Sequence, residues 1–204
     1  MLAAGNAHAN LILNGNFSAN ASSYTKSPGY SQTPNPTAPT DWTVSSIGAG
    51  VNGPDTGAGK PFSPGSLAGV NDFAFIQGGG VNILQTVATT ANEAYTLSFA
   101  AGQRDTDTTA VLEVILLNEA NGGKQFTSFT PAVVDTGFTN FSYNFTAPSN
   151  ITAVEFLNNS PAGVDDTVDV SNVSLAPVPE PATLGLLGVG AMGLLLLKRL
   201  KRPS

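Results

Sequence analysis

The chain contains no cysteine and a single histidine, His8. Without thiols there is no disulfide framework, no thiol nucleophile and no cysteine-based zinc or iron–sulfur site. One histidine excludes a multi-histidine metal centre and leaves almost no material for a Ser-His-Asp triad. Charge is scarce as well. Asp, Glu, Lys and Arg make up 11% of the 204 residues, against ~25% in an ordinary soluble domain. The formal net charge of −6 argues against nucleic acid as a partner, because neutralising phosphates takes clustered Lys and Arg. Glycine and proline are plentiful, at 22 and 14 residues. The length suits one domain with a short extra segment.

The few charges are unevenly placed. Lys198, Arg199, Lys201 and Arg202 supply half of the eight basic residues and lie together at the C-terminus. Lys26, Lys60, Arg104 and Lys124 are the only others. Glu180 is the one acid beyond Val178. An acidic body therefore carries a basic end, and the two have different physics.

Residues 182–197 hold no charge. As a helix they would span roughly 24 Å, somewhat less than the ~30 Å hydrocarbon core of a bilayer. Lys198, Arg199, Lys201 and Arg202 follow directly and can snorkel to extend that span. The positive-inside rule puts them in the cytoplasm and the body on the other side. Gly185, Gly188, Gly190 and Gly193 would let a second helix approach closely. The segment reads as one C-terminal transmembrane helix; the rival reading is a buried helix at a domain end.

In order, this end contains Pro179-Glu180-Pro181, a Gly/Leu-rich apolar run and a basic terminus. It resembles the PEP-CTERM sorting signal of Gram-negative bacteria that make exopolysaccharide. The resemblance implies an exosortase-type membrane processing enzyme as partner, which recognises the tripeptide and cleaves near it. It also implies transient anchoring in the inner membrane, facing the periplasm, and release to the cell surface or extracellular matrix. The tripeptide suits such a handle. Pro179 and Pro181 cannot donate backbone hydrogen bonds and hold the chain extended. At the other end, Ala7-His8-Ala9 fits the A-x-A pattern of a secretory cleavage site. Residues 1–9 read as a signal-peptide remnant, with a mature start at Asn10.

Between these ends the apolar pattern has period two. Tyr95, Leu97 and Phe99 alternate with Thr96, Ser98 and Ala100. Phe141, Tyr143 and Phe145 alternate with Ser142, Asn144 and Thr146. Such alternation marks half-buried antiparallel strands. Residues 111–117 form a nearly continuous apolar run suited to a central strand. Further strands are expected at 11–13, 42–44, 73–77, 83–87, 125–130, 152–158 and 168–175. Turns are expected at 78–80, 121–123, 137, 148–150 and 161–163. The fold class is thus all-β, an antiparallel β-sandwich of the jelly-roll kind over residues 10–177. Residues 19–70, rich in Ser, Thr, Pro, Gly and Asn, read as long loops around the Trp42 strand. Residues 178–204 form the sorting segment.

The body carries a second resemblance. N-L-I-L-N-G-N-F-S at 10–18, D-W-T-V at 41–44, the stretch 73–104 and V-D-V-S-N-V-S-L at 168–175 are similar to carbohydrate-binding-module-like, galactose-binding-like jelly rolls. That family often holds a structural calcium with a Glu after N-G-x-F and an Asp before N-V-S-L. Ser18 and Ser171 stand at those positions here. A calcium would have to draw on Asp169 and on oxygens near Asn14 and Asn16, and such an ion wants six to eight of them.

Candidate binding residues come from three places. Arg104, Asp105 and Asp107 could form a sugar-hydroxyl or Ca²⁺ site, or a solvated turn with a local ion pair. Asp165, Asp166 and Asp169 carry the same two readings, since three close negative charges repel unless something relieves them. Trp42 and Tyr30 could offer flat faces to a sugar, or Trp42 could belong to the core. No positioned base, activated nucleophile or phosphate loop is visible. The expectation is therefore an exported, non-catalytic module associated with extracellular polysaccharide. The rivals are an enzyme acting on that polysaccharide and a self-associating surface protein.

Overall fold

The computed structural model describes residues 9–19, 39–52, 72–104, 107, 109–134 and 137–179, and the backbone of 30–32. Ala9–Pro177 forms a compact unit of its own. Among the described residues eleven strands run in chain order: β1 Tyr30–Gln32, β2 Thr43–Val44, β3 Ala49–Asn52, β4 Phe73–Gln77, β5 Asn82–Ala88 and β6 Ala94–Gln103, followed by β7 Leu112–Asn118, β8 Lys124–Phe129, β9 Thr139–Thr146, β10 Ile151–Asn158 and β11 Thr167–Pro177. Helix among the described residues is limited to short 3-10 stretches, at residues 18–19 and at Glu119–Asn121 between β7 and β8. No described helix is long and apolar enough to cross a membrane; the span expected at 182–197 lies outside the described residues.

The strands form two antiparallel sheets. A six-stranded sheet has the order β1-β3-β4-β11-β6-β9, and a five-stranded sheet has the order β2-β5-β10-β7-β8. The core lies between them. From the first sheet it takes Val51, Ile76, Val168, Val170, Leu97 and Phe99; from the second, Ile83, Val154, Phe156, Leu112, Val114 and Leu116. These residues recur at every second position, so the period-two pattern of the sequence is the inward side of each strand. The sandwich closes laterally with aromatic rings. Phe129 of β8 stacks on Tyr143 of β9 at 4.1 Å, and Phe126 meets Phe145 at 5.9 Å.

Two expectations from the sequence need correction. Residues 11–13 are not a strand. They form a strap that bridges the sheets through side-chain amides. Asn10 Oδ1 accepts from the Ile12 and Leu175 N–H groups, and the Leu11 N–H donates to the Leu175 carbonyl. At the far end Gln85 Oε1 accepts from the Leu13 N–H at 2.8 Å. The stretch 19–70 holds the expected strand at Trp42, as β2, and two that were not expected, β1 and β3. All four residues of β3 are buried, so it shows no alternation.

The two ends of the body meet at a bulge in β11. The pairing of β11 with β6 shifts register between Ser171 and Ser174, and Asn172 there has φ 51°. The shift turns Val173 into the core, and its N–H donates to the Gly15 carbonyl at 2.9 Å. A Cβ on Gly15 would lie 2.0 Å from the Val173 carbonyl oxygen. Only glycine allows this approach.

Candidate functional site

The outward side of the six-stranded sheet holds Asp169, one of the acids that the sequence nominates. Val168 and Val170 point into the core, so Thr167, Asp169 and Ser171 project the other way. Asp169 pairs in register with Phe75 of β4 and with Gly102 of β6. Phe73, Phe75, Ala100 and Phe138 form a separate apolar cluster on this side. Asp169 is completely buried, and neither carboxylate oxygen has a hydrogen-bond partner. Burial pushes its pKa well above the ordinary carboxylate value; Asp107 pushes the same way and Arg104 opposes both.

Arg104 and Asp107 do come together. The guanidinium donates through Nε and Nη2 to Asp107 Oδ1, at 3.0 and 2.8 Å. Asp107 Oδ2 accepts from the Thr167 N–H at 2.5 Å. Gln103 Nε2 donates to the Asp107 carbonyl. Arg104 also donates to the Asp165 carbonyl and lies 3.6 Å from the exposed Asp165 carboxylate. This is a clasp fastening the turn after β6 to the start of β11. With 4% of its side chain exposed, Asp107 has little left to offer a ligand. Asp166 accepts from Thr109 Oγ1 and belongs to the same fastening.

The other candidates separate. Trp42 is only 5% exposed. Its ring packs against Phe17 at 5.5 Å and Phe156 at 6.0 Å, so the core takes it and no flat face is left for a sugar. Asn16 lies in the turn beside Val173, with its Oδ1 accepting from the Ser18 N–H and hydroxyl. Asp169 is further up β11 on the outward side, and no contact joins the two. Among the described residues no group of three or more acids or histidines could hold a metal ion. Tyr30 is described only through its backbone. Asp105, Glu180, Pro181, Lys198, Arg199, Lys201 and Arg202 lie outside the described residues, while Pro179 is exposed just after β11.

The second sheet supplies what the sequence did not reveal. Beside the short β2, a groove of about 360 Å³ opens along the edge of β5. Leu11, Leu13, Asp41, Thr43, Leu84 and Thr86 are among its walls. Gln85 fixes them in place. Its Nε2 donates to the Leu13 and Asp41 carbonyls, both at 3.0 Å, and its Oε1 holds the Leu13 N–H. Leu13 is left 61% exposed. Apolar ridges beside hydroxyl and carboxylate groups suit a ligand with both C–H and O–H surfaces.

Strand register relates two of the groove walls, Thr43 and Leu84, to the outward side of the five-stranded sheet. Thr43, Leu84, Glu155 and Ile115 lie in one cross-strand row. Asn82, Leu157 and Glu113 lie in the next. Asn82 Nδ2 donates to Glu155 Oε1, and Asn159 Nδ2 donates to Glu113 Oε2 at 3.0 Å. Burial raises the Glu155 pKa, the Asn82 bond lowers it, and Glu113 adds a smaller upward push. The two glutamates lie far apart in sequence and meet only through strand register. Their signal was the alternation of β7 and β10, which places both on the side away from the core.

Residues 177–201 match the PEP-CTERM protein-sorting motif. Among curated proteins, none matches the chain. The fold is similar to several solved structures. One is the enzymatically active domain of bacteriophage CBA120 tailspike protein 4, at TM-score 0.52 and 16% identity over 83% of this chain. The match takes in only 21% of that domain, so this chain spans about a fifth of its length. A CBM4 module aligns at TM-score 0.50 and 15% identity, over 82% of this chain and 99% of the module. TmCBM61, solved with β-1,4-galactotriose, aligns at TM-score 0.51 and 11% identity, over 83% of this chain and 99% of that one. The body thus has the jelly-roll fold of carbohydrate-binding modules, and a PEP-CTERM sorting motif follows it.

Proposed function

We propose that the protein is an exported, non-catalytic module that binds polysaccharide in the extracellular matrix. The sorting motif at 177–201, joined directly to a jelly-roll body, is the observation that carries this reading. In it, Pro179-Glu180-Pro181 is the handle for an exosortase-type enzyme. Residues 182–197 anchor the chain in the inner membrane until it is processed. Lys198, Arg199, Lys201 and Arg202 hold that anchor on the cytoplasmic side. Residues 1–9 are the remnant of the export signal.

The groove beside β5 is the glycan site in this reading. Leu11, Leu13 and Leu84 offer C–H contact, and Asp41, Thr43 and Thr86 offer hydrogen bonds. Glu113, half-buried on the same side of the sheet, adds a polar group beyond the groove. The clasp at Asp107 supports binding over catalysis, because both of its oxygens are engaged by Arg104 and Thr167. The full chain is tested by electrophoresis through gels containing β-1,4-galactan or the exopolysaccharide of the producing bacterium. Retarded migration without new reducing ends is expected. Release of reducing ends would favour a polysaccharide-acting enzyme, and unchanged migration in both gels would refute glycan binding.

A further inference from the structure

Each sheet has two edge strands, and three of the four are defended. β1 and β2 have three and two residues, too few to template another strand. β8 begins with Lys124, and its pairing with β7 shifts register at Leu116/Leu117. Short length, an edge lysine and a bulge are the usual devices that stop a sheet from growing. The fourth edge, β9, has none of them. Its eight residues read T-N-F-S-Y-N-F-T, with no charge and no proline. Its pairing with β6 runs from Ala94↔Thr146 to Ala101↔Thr139 without a shift. Among the described residues no backbone bond reaches its free side. Every second residue of an antiparallel edge therefore turns an N–H and a C=O outward, about four such residues in β9.

We propose that β9 is a self-association edge, pairing antiparallel with β9 of a second copy of this chain. The sequence is complementary to itself in that arrangement. A two-fold axis perpendicular to the sheet keeps each side of the strand matched to the same side of its mate. With Tyr143 opposite Tyr143 of the second copy, Phe141 falls opposite Phe145 and Ser142 opposite Asn144. Aromatic residues thus meet aromatic residues on one side and polar residues meet polar ones on the other, which are favourable cross-strand pairs. Phe141 and Tyr143 are half-buried against the core, while Ser142 and Asn144 are exposed. An uncharged strand also meets no repulsion from its copy. The product is one continuous sheet running through two sandwiches.

The test uses two charge variants of the full chain in mild detergent, Ser142→Lys/Asn144→Lys and Ser142→Glu/Asn144→Glu. Both positions are exposed, and the substitutions remove one surface hydrogen bond, from Thr96 Oγ1 to Asn144 Oδ1 at 2.7 Å, so the fold should hold with at most a small fall in melting temperature. Sedimentation velocity should show a concentration-dependent dimer for the unaltered chain. Each variant alone should be monomeric, because like charges now face one another across the pair. An equimolar mixture should regain the dimer, since Lys then faces Glu. If the lysine variant does not fold, loss of the dimer in the glutamate variant alone carries the test. A monomeric unaltered chain, or a dimer that survives both variants, would overturn the proposal. A dimer held by residues 182–197 would survive in this way.

Discussion

The two outward sides of the sandwich each hold an acid with a raised pKa, and the two acids are built differently. Asp169, on the six-stranded sheet, is sealed in with no hydrogen-bond partner. Glu155, on the five-stranded sheet, takes a hydrogen bond from Asn82 and lies opposite Leu84, one of the groove walls. Desolvation lifts both. The first acid has no polar support, whereas the second, though only 9% exposed, is hydrogen-bonded and pairs in register with a wall of the groove. A raised pKa marks a binding site only where the surrounding geometry gives access.

The largest effect expected on this comparison comes from Arg104→Ala. Asp107 would lose its fork, and Asp169 would lose the one cation that opposes its raised pKa. The clasp is mostly buried, and breaking a buried pair leaves an uncompensated charge. Denaturant unfolding should show a loss of about 3 kcal/mol, the low end of the range for such pairs because Arg104 keeps some solvent contact. A loss within the ordinary surface range would show the clasp to be incidental.

Asp169→Asn should act in the opposite direction and depend on pH. An acid whose folded pKa is raised holds a proton in the folded chain over a range where the unfolded chain has lost it. Its contribution is then fully present below the ordinary value of 3.8 and is lost as pH rises through the folded value. Urea midpoints of the unaltered chain, measured relative to the Asn variant, should therefore fall as pH rises. At neutral pH the variant should be the more stable of the two, because Asn has no charge to desolvate and no proton to take up on folding. Parallel pH profiles would mean that Asp169 has partners the account omits.

Much of this architecture was legible because strands announce themselves by alternation. β6 and β9 coincide with the period-two runs, β7 with the nearly continuous apolar run at 111–117, and β4, β5 and β10 with the further strands expected at 73–77, 83–87 and 152–158. β3 was not legible, because A-G-V-N is buried on both sides and sits in a Gly/Pro-rich stretch. The strap at 11–13 reads as a strand because it is apolar, yet its partners are largely the side chains of Asn10 and Gln85. Arg104 and Asp107 lie three residues apart, so their pairing could be anticipated. The meeting of Glu113 with Glu155 could not, since it depends on the register of β7 with β10. The groove depends on β2 stopping after two residues, and nothing in D-W-T-V says where the pairing ends.

The most direct measurement of the central claim compares the two sides in one polysaccharide gel. Thr43→Lys/Thr86→Lys places bulky cations at two exposed groove positions and should leave stability within about 0.5 kcal/mol. The account predicts that this variant of the full chain loses its retardation in β-1,4-galactan or exopolysaccharide gels, while Asp169→Asn keeps it. Retention by the groove variant, or loss by the Asp169 variant, would contradict the assignment of glycan binding to the five-stranded side.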